Sequence, residues 1–222
     1  MRKIFTFILA LTACATSVFA QEAITVGNFQ YYFNSSERTA EVYASLVHSG
    51  NVVVPTTVEY NTVTYTVVGL SKRAFWYEDG ITGFTLPDKL ETIGEQAFAG
   101  CTSLTAIVLP ASLKEIKTNA FQGDDNLAKI TCYAIEPPVC GDYPFATYVG
   151  ALYVPQGSIA KYKDASGWSG FDPDIYAIDD TAIDQVANGQ ITSGSAKKVI
   201  RNGVIYIERN GELFNLTGAK LQ

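Results

Sequence analysis

From residue 24 to residue 68, apolar and polar side chains alternate with a period of two, the pattern of half-buried strands. The segments ITVGNFQYYF, TAEVYASLV, NVVVP and VEYNTVTYTVV each read as strand, with Asn61 in a turn. From residue 70 a longer period takes over. Ala74-Phe75, Ala97-Phe98 and Ala120-Phe121 recur at steps of 23, and Leu86-Pro87 and Leu109-Pro110 repeat the same step. Leu70, Ile93, Ile116 and Val139 form another column at this spacing, and Ile81, Leu104 and Leu127 a third.

Each unit also carries a segment of the form LxxLxL. The copies are Ile81-x-x-Phe84-x-Leu86, Leu104-x-x-Ile107-x-Leu109, Leu127-x-x-Ile130-x-Cys132 and a displaced one, Val149-x-x-Leu152-x-Val154. A period of 20 to 29 residues with this motif is the signature of leucine-rich repeats. One such coil cannot bury its own apolar positions, so coils stack and every column becomes a ladder inside a solenoid. Ala beside each Phe lets neighbouring coils approach, Gly100 and Gly123 suit tight turns, and Pro87, Pro110 and Pro155 mark strand ends. The expected fold is mainly β: a right-handed solenoid of short strands and turns with period 23, closed at its N-terminal end by the β-rich segment, which shields open ladders and strand edges.

The segments IGEQAFAGCTSLTAIVLPASL (93–113) and IKTNAFQGDDNLAKITCYAIEPPVCGDYPF (116–145) resemble the BspA-like leucine-rich repeats of surface proteins from anaerobic gut and oral bacteria. The resemblance continues through ALYVPQGSIAKYKDASGWSGF (151–171), which is similar to the closing unit of such proteins, and covers about residues 24–177. The first unit departs from the pattern, with Trp76-Tyr77-Glu78-Asp79-Gly80 in place of a small turn. The family implies adhesion to host matrix proteins or to other bacteria.

After Ile178 the chain turns polar and loses its period, which reads as a linker. Beyond it, RNG at 201–203 and again at 209–211 separates β-rich runs, and Asn-Gly steps so placed predict consecutive hairpins. The piece resembles short C-terminal modules of exported proteins of the same bacteria, some of which serve as sorting tails. The expected organisation is a leader at 1–20, a cap at 21–66, repeats with a closing unit at 67–177, a linker at 178–196 and a C-terminal β module at 197–222.

The leader, MRKIFTFILALTACATSVFA, has a basic start, a short apolar run and small residues before Gln21, as secretory signal peptides do, with cleavage expected after Ala20. Leu11-Thr12-Ala13-Cys14 also fits a lipobox, so lipidation at Cys14 and attachment to the outer membrane stay open beside free secretion. No second apolar segment is long enough to span a membrane. The expected location is therefore outside the cell or on its surface. Without the leader the chain keeps 14 basic against 22 acidic side chains, a charge of −8 that argues against nucleic acid as a partner. Charged residues are only 17% of the chain, so its surface is finished largely with Thr, Ser, Asn and Gly.

Catalytic chemistry is poorly represented, and no enzyme activity, cofactor or metal is expected. His48 is the one histidine and lies in a predicted strand region, and no nucleophile elbow accompanies it. Cys101 sits in the Gly-Cys turn and Cys132 in the Leu86–Leu109 column, both read as buried small hydrophobes, and a Cys132–Cys140 disulfide is left open. The carboxylate pairs Glu78-Asp79, Asp124-Asp125, Asp172 with Asp174 and Asp179-Asp180 read as solvated turns, and Asp124, Asp125 and Asn126 lack the spaced ligands of a calcium loop. Asp180-Thr181-Ala182 matches a three-residue pattern at which bacteria of this group attach O-glycans, marking Thr181.

What remains is the outward side of the strands. If Ile107 and Leu109 point inward, Val108 points out, with Thr85, Thr131 and Tyr153 at equivalent places. Thr82, Thr105 and Ala128 make a second outward column, edged by Lys129. This neutral, Thr-rich face suits noncovalent binding of a protein or glycan partner, and Trp76 and Tyr77 offer an aromatic alternative for a glycan. A protein-interaction or adhesion role is the first reading. Glycan or nutrient capture, or a structural place in the envelope, is the second.

Overall fold

The computed structural model describes residues 22–178 and, as backbone, three strands within 196–214. The leader with Cys14 and the linker with Thr181 lie outside the described residues.

The chain forms a β-solenoid of about six turns with a period of about 23. Each coil contributes to two parallel ladders. The first joins β6 (Val63–Leu70), β8 (Thr92–Ile93), β10 (Glu115–Ile116) and β12 (Val139–Cys140). The second runs through β7 (Gly80–Thr85), its neighbour β9 (Ala106–Leu109), then β11 (Lys129–Cys132), β13 (Ala151–Val154) and β14 (Ile175–Ala177). Inward residues alternate with outward ones, so Ile107, Leu109, Ile130, Cys132, Leu152 and Val154 are all buried.

Between the ladders, Phe75, Phe98, Phe121 and Phe145 stack face to face along the axis, with centroids 5.5, 5.0 and 5.3 Å apart and ring planes within 16° of parallel. Ala before the first three rings, and Pro144 before the fourth, leave the coils close enough for backbone bonds between these rungs. Phe75 N donates to Ala97 O at 2.8 Å, and Phe98 N to Ala120 O at 2.9 Å. Gly100 and Gly123 hold φ of 84° and 80°, where a side chain would be strained.

The stack is closed edge-on at both ends. Phe29 meets Phe75 at 80°, while Phe171 meets Phe145 at 74° and Trp168 packs on Phe145 at 5.3 Å. In the closing unit the short helix α1 (Ile159–Asp164) buries Tyr162, whose hydroxyl donates to Ala134 O at 2.8 Å, and Trp168 Nε1 donates to Pro138 O at 2.8 Å.

At the N-terminal end, β1 (Ile24–Val26), β2 (Phe29–Asn34) and β3 (Thr39–Ser45) form an antiparallel meander. The strand expected over ITVGNFQYYF is thus two strands, folded at Gly27-Asn28. β3 pairs parallel with β6, and β4 (Ser49–Val53) pairs parallel with β7, so residues 39–53 extend both ladders as a coil of their own. β5 (Thr57–Tyr60) folds on β6 through Asn61-Thr62, the expected turn, with φ of 50° and 64°.

Two columns need correction. Ile116 pairs with Cys140, not Val139, and Val139 is 70% exposed. The coil through Pro137-Pro138 is one residue longer, so Phe145 follows Phe121 by 24. The next step is shorter, with Ile130 opposite Leu152, and Val149 lies exposed instead of continuing the Leu127 column.

The C-terminal segment is a meander of β15 (Ala196–Arg201), β16 (Val204–Arg209) and β17 (Glu212–Phe214). Arg201 pairs antiparallel with Val204, and Arg209 with Glu212, while the two expected Asn-Gly steps lie outside the described residues.

Candidate functional site

The second ladder presents an outward row in two paired stretches, β4 with β7 and β9 through β14, and the 23-residue step sets Thr85 of the first next to Val108 of the second. Val53 lies opposite Thr85, Val108 opposite Thr131, Thr131 opposite Tyr153, and Tyr153 opposite Tyr176. Four members were expected from the repeat, and Val53 and Tyr176 extend the row at its two ends. Val53 and Val108 are 60% and 51% exposed, and Tyr176 46%. A second row pairs Lys129 with Ala106 on one side and Ala151 on the other. Thr82, Thr105 and Ala128 are also exposed, and the carbonyls of Thr105 and Ala128 hold the next coil, accepting from Ala128 N at 3.0 Å and Ala151 N at 2.9 Å.

The two ends of the row differ in chemistry. Toward β4 it is aliphatic and hydroxylic. Toward β14 it is aromatic: the Tyr153 and Tyr176 rings lie 5.7 Å apart, and Lys129 Nζ sits 4.9 Å from the Tyr153 centroid. Tyr176 donates its hydroxyl to Asp174 Oδ1 at 2.9 Å, and that bond raises its pKa, keeping the phenol neutral. Mostly uncharged and edged by Lys129, the row can cover a partner's apolar and hydrogen-bonding surface.

Trp76 and Tyr77 lie off this row, in the turn between the Phe75 rung and β7. The structure therefore divides the expected site residues between two places.

Elsewhere the polar groups are structural. His48 Nδ1 lies 2.9 Å from both carboxylate oxygens of Glu78, an exposed pair that ties the cap to the first repeat. Cys101, Cys132 and Cys140 are free thiols. Burial pushes Cys132 up to about 11 and Cys140 up to about 12, and raises Cys101 as well, so none is a thiolate at neutral pH. A groove of about 350 Å³ between cap and first ladder is lined by Tyr32, Glu37, Glu41, Glu91 and Thr92. Among the described residues, no group of His, Cys, Asp and Glu is set to hold a metal ion, and no helix is long and apolar enough to cross a membrane.

Asp124 departs from the expected solvated turn. It is 2% exposed, and neither carboxylate oxygen has a hydrogen-bond partner among the described residues. Position 124 falls 23 residues after Cys101, so the column rule that located the apolar residues was the signal that placed it inside.

Residues 68–155 match, in six copies, the family described as BspA type leucine-rich repeat region. Among solved structures, a leucine-rich repeat protein from Bacteroides capillosus is similar at 26% identity and TM-score 0.51, over 60% of this chain and 97% of its own. The leucine-rich repeat protein of T. pallidum matches at 25% identity and TM-score 0.51, over 61% of this chain and 62% of its own. A leucine-rich repeat protein from Bacteroides ovatus matches at 26% and 0.51 over 60% of this chain, which spans 36% of that longer protein. No curated protein matches this chain.

Proposed function

Residues 68–155 form a BspA type leucine-rich repeat region, and from that premise we propose that the chain is an exported, surface-displayed module that binds a protein partner noncovalently through the outward row of its second ladder. Val53, Thr85, Val108, Thr131, Tyr153 and Tyr176 carry the reading, because pairing aligns Val53 with Thr85 and Val108 with Thr131, Tyr153 and Tyr176, and the repeat step sets the two stretches side by side. Thr82, Thr105 and Lys129 border it. The chemistry is recognition, not catalysis: no activated nucleophile or paired acid and base converges on this face. Adhesion to host matrix or to other bacteria is the biological form of this proposal. So are the division into leader, cap, repeats, linker and C-terminal module, and the leader's removal after Ala20. One such face is small, and display in many copies would raise its strength.

The test is capture by residues 21–222 from mucosal matrix proteins and bacterial surface material, beside a Thr85→Glu, Val108→Glu, Thr131→Glu variant. The reading expects a captured protein that the folded variant no longer holds. Equal capture by both would overturn the assignment to this face.

A further inference from the structure

The turn at Trp76-Tyr77 does more than the fold requires. In the next two coils the same turn is built from Ala99-Gly100 and Gln122-Gly123. In the first repeat two large rings replace these residues, and both remain in solvent, Trp76 at 44% and Tyr77 at 69% exposed. Such exposure is a cost that packing does not repay.

Both rings are held in place. Tyr77 adopts φ of 60°, its amide donates to Ala99 O at 2.8 Å, and its ring lies over Gly100, where an added Cβ would come within 3.1 Å of Cδ1. The Tyr77 ring therefore rests against the next coil while most of the residue stays in solvent. Trp76 stands at 85° to it with centroids 4.7 Å apart, and the Arg73 guanidinium packs over the indole at 4.7 Å.

From Arg73 a row of amides crosses the coils. Arg73 Nε donates to Gln96 Oε1 at 2.8 Å, and Gln96 Nε2 donates to Gln122 Oε1 at 3.3 Å. The neighbouring charges, Lys72 and Glu95, pair with each other at 2.8 Å. The edge thus combines exposed rings, oriented amides and a cation, Arg73, already engaged by Trp76 and Gln96.

We infer that Trp76, Tyr77, Arg73, Gln96 and Gln122 form a second binding site, for a neutral oligosaccharide. The exposed rings stack on the C–H face of a pyranose, and the amide row donates to and accepts from successive hydroxyls, as an amide can do both and a charged group cannot. This site is separate from the strand row and does not rest on it.

The experiment titrates the mature chain with cellohexaose, maltohexaose, mannohexaose and chitohexaose while tryptophan emission is followed. Trp168, the other tryptophan, is fully buried, so a bound sugar reports through Trp76. At least one saccharide is expected to shift the emission. Tyr77→Asn, which removes the ring but tolerates left-handed backbone, and Gln122→Leu are each expected to weaken binding about tenfold or more. The triple-Glu strand-row variant is expected to bind as wild type does. The inference is overturned if no saccharide shifts the emission at millimolar concentration, or if Tyr77→Asn and Gln122→Leu bind like wild type. A protein ligand lost in Tyr77→Asn, with no saccharide bound, would overturn it too and give the edge to a protein.

Discussion

Asp124 stands in its coil where Cys101 stands in the coil before. Cys101 N donates to Phe98 O at 3.0 Å and Asp124 N to Phe121 O at 3.3 Å, and the carbonyls accept from Leu104 N and Leu127 N at 2.9 and 3.0 Å. The side chains differ in what they find inside. The Cys101 thiol donates to Phe75 O at 3.2 Å, whereas the Asp124 carboxylate has no hydrogen-bond partner among the described residues. Burial pushes Asp124 from 3.8 up to about 7, and Asp125 adds to the rise. The amides of Cys101 and Gly100 pull the other way, but their hydrogens are directed at the carbonyls of Phe98 and Gln122.

Stability should therefore fall as pH rises through this window. The folded state binds the Asp124 proton more tightly than the unfolded chain, so the ionised carboxylate costs nothing below about pH 4 and its full penalty above about pH 7. A rise of that size corresponds to on the order of 4 kcal/mol. Asp124→Cys, which copies position 101, should raise stability at pH 8 and flatten its dependence between pH 5 and 8. Urea unfolding of both proteins at pH 5, 6.5 and 8 measures this, and parallel curves for the two would refute it.

Gly100 and Gly123 share a left-handed backbone but not the same surroundings. A Cβ on Gly123 would have its nearest neighbour at 3.9 Å, while one on Gly100 would strike the Tyr77 ring at 3.1 Å. Gly123→Ala should cost about 1–2 kcal/mol, from backbone conformation alone. Gly100→Ala should cost more and also displace Tyr77, altering the emission of the adjacent Trp76. Equal costs with unchanged emission would show that the ring is not seated on Gly100.

The closing unit is tied to the last full coil by polar groups buried from solvent. Tyr162 is fully buried, and its hydroxyl donates to Ala134 O at 2.8 Å with Cys132 Sγ at 3.2 Å. Tyr162→Phe keeps the ring packed on Trp168 but strands the Ala134 carbonyl, so it should cost about 1–3 kcal/mol. Denaturant titration reads the loss, and a neutral substitution would mean that the carbonyl finds another donor.

Stacking logic made most of this fold legible, since Ile81, Leu104 and Leu127 or Phe75, Phe98 and Phe121 are columns only if coils superpose. The same logic failed where the period changed. A fixed step of 23 carried through the Pro137-Pro138 coil selected Val139, when the longer coil brings Cys140 to Ile116. Val53 was missed for a different reason: NVVVP has no repeat motif, and its place beside Thr85 is set by long-range pairing that local alternation does not encode. Asp124 was misread because two acids in a turn suggest solvent, although its column already contained Cys101. For the strand row, the repeat located the middle, and only the pairing of β4 and β14 located the ends.

Phe98 is the residue on which the coupling between coils depends most directly. It stacks on Phe75 at 5.5 Å and on Phe121 at 5.0 Å, meets Phe84 edge-on at 4.7 Å, and is fully buried. In a solenoid each coil is stabilised mainly by its two neighbours, so a cavity here weakens two interfaces at once. Phe98→Ala should cost about 3–5 kcal/mol, and Phe98→Leu, which refills part of the space, clearly less. Because the gap divides the stack, the alanine variant should also unfold over a broader denaturant range, as its two halves lose their coupling. Circular dichroism against guanidinium distinguishes the outcomes. A lower midpoint with unchanged steepness would mean that the two ladders alone keep the coils cooperative, and that the phenylalanine stack contributes burial without transmitting order along the axis.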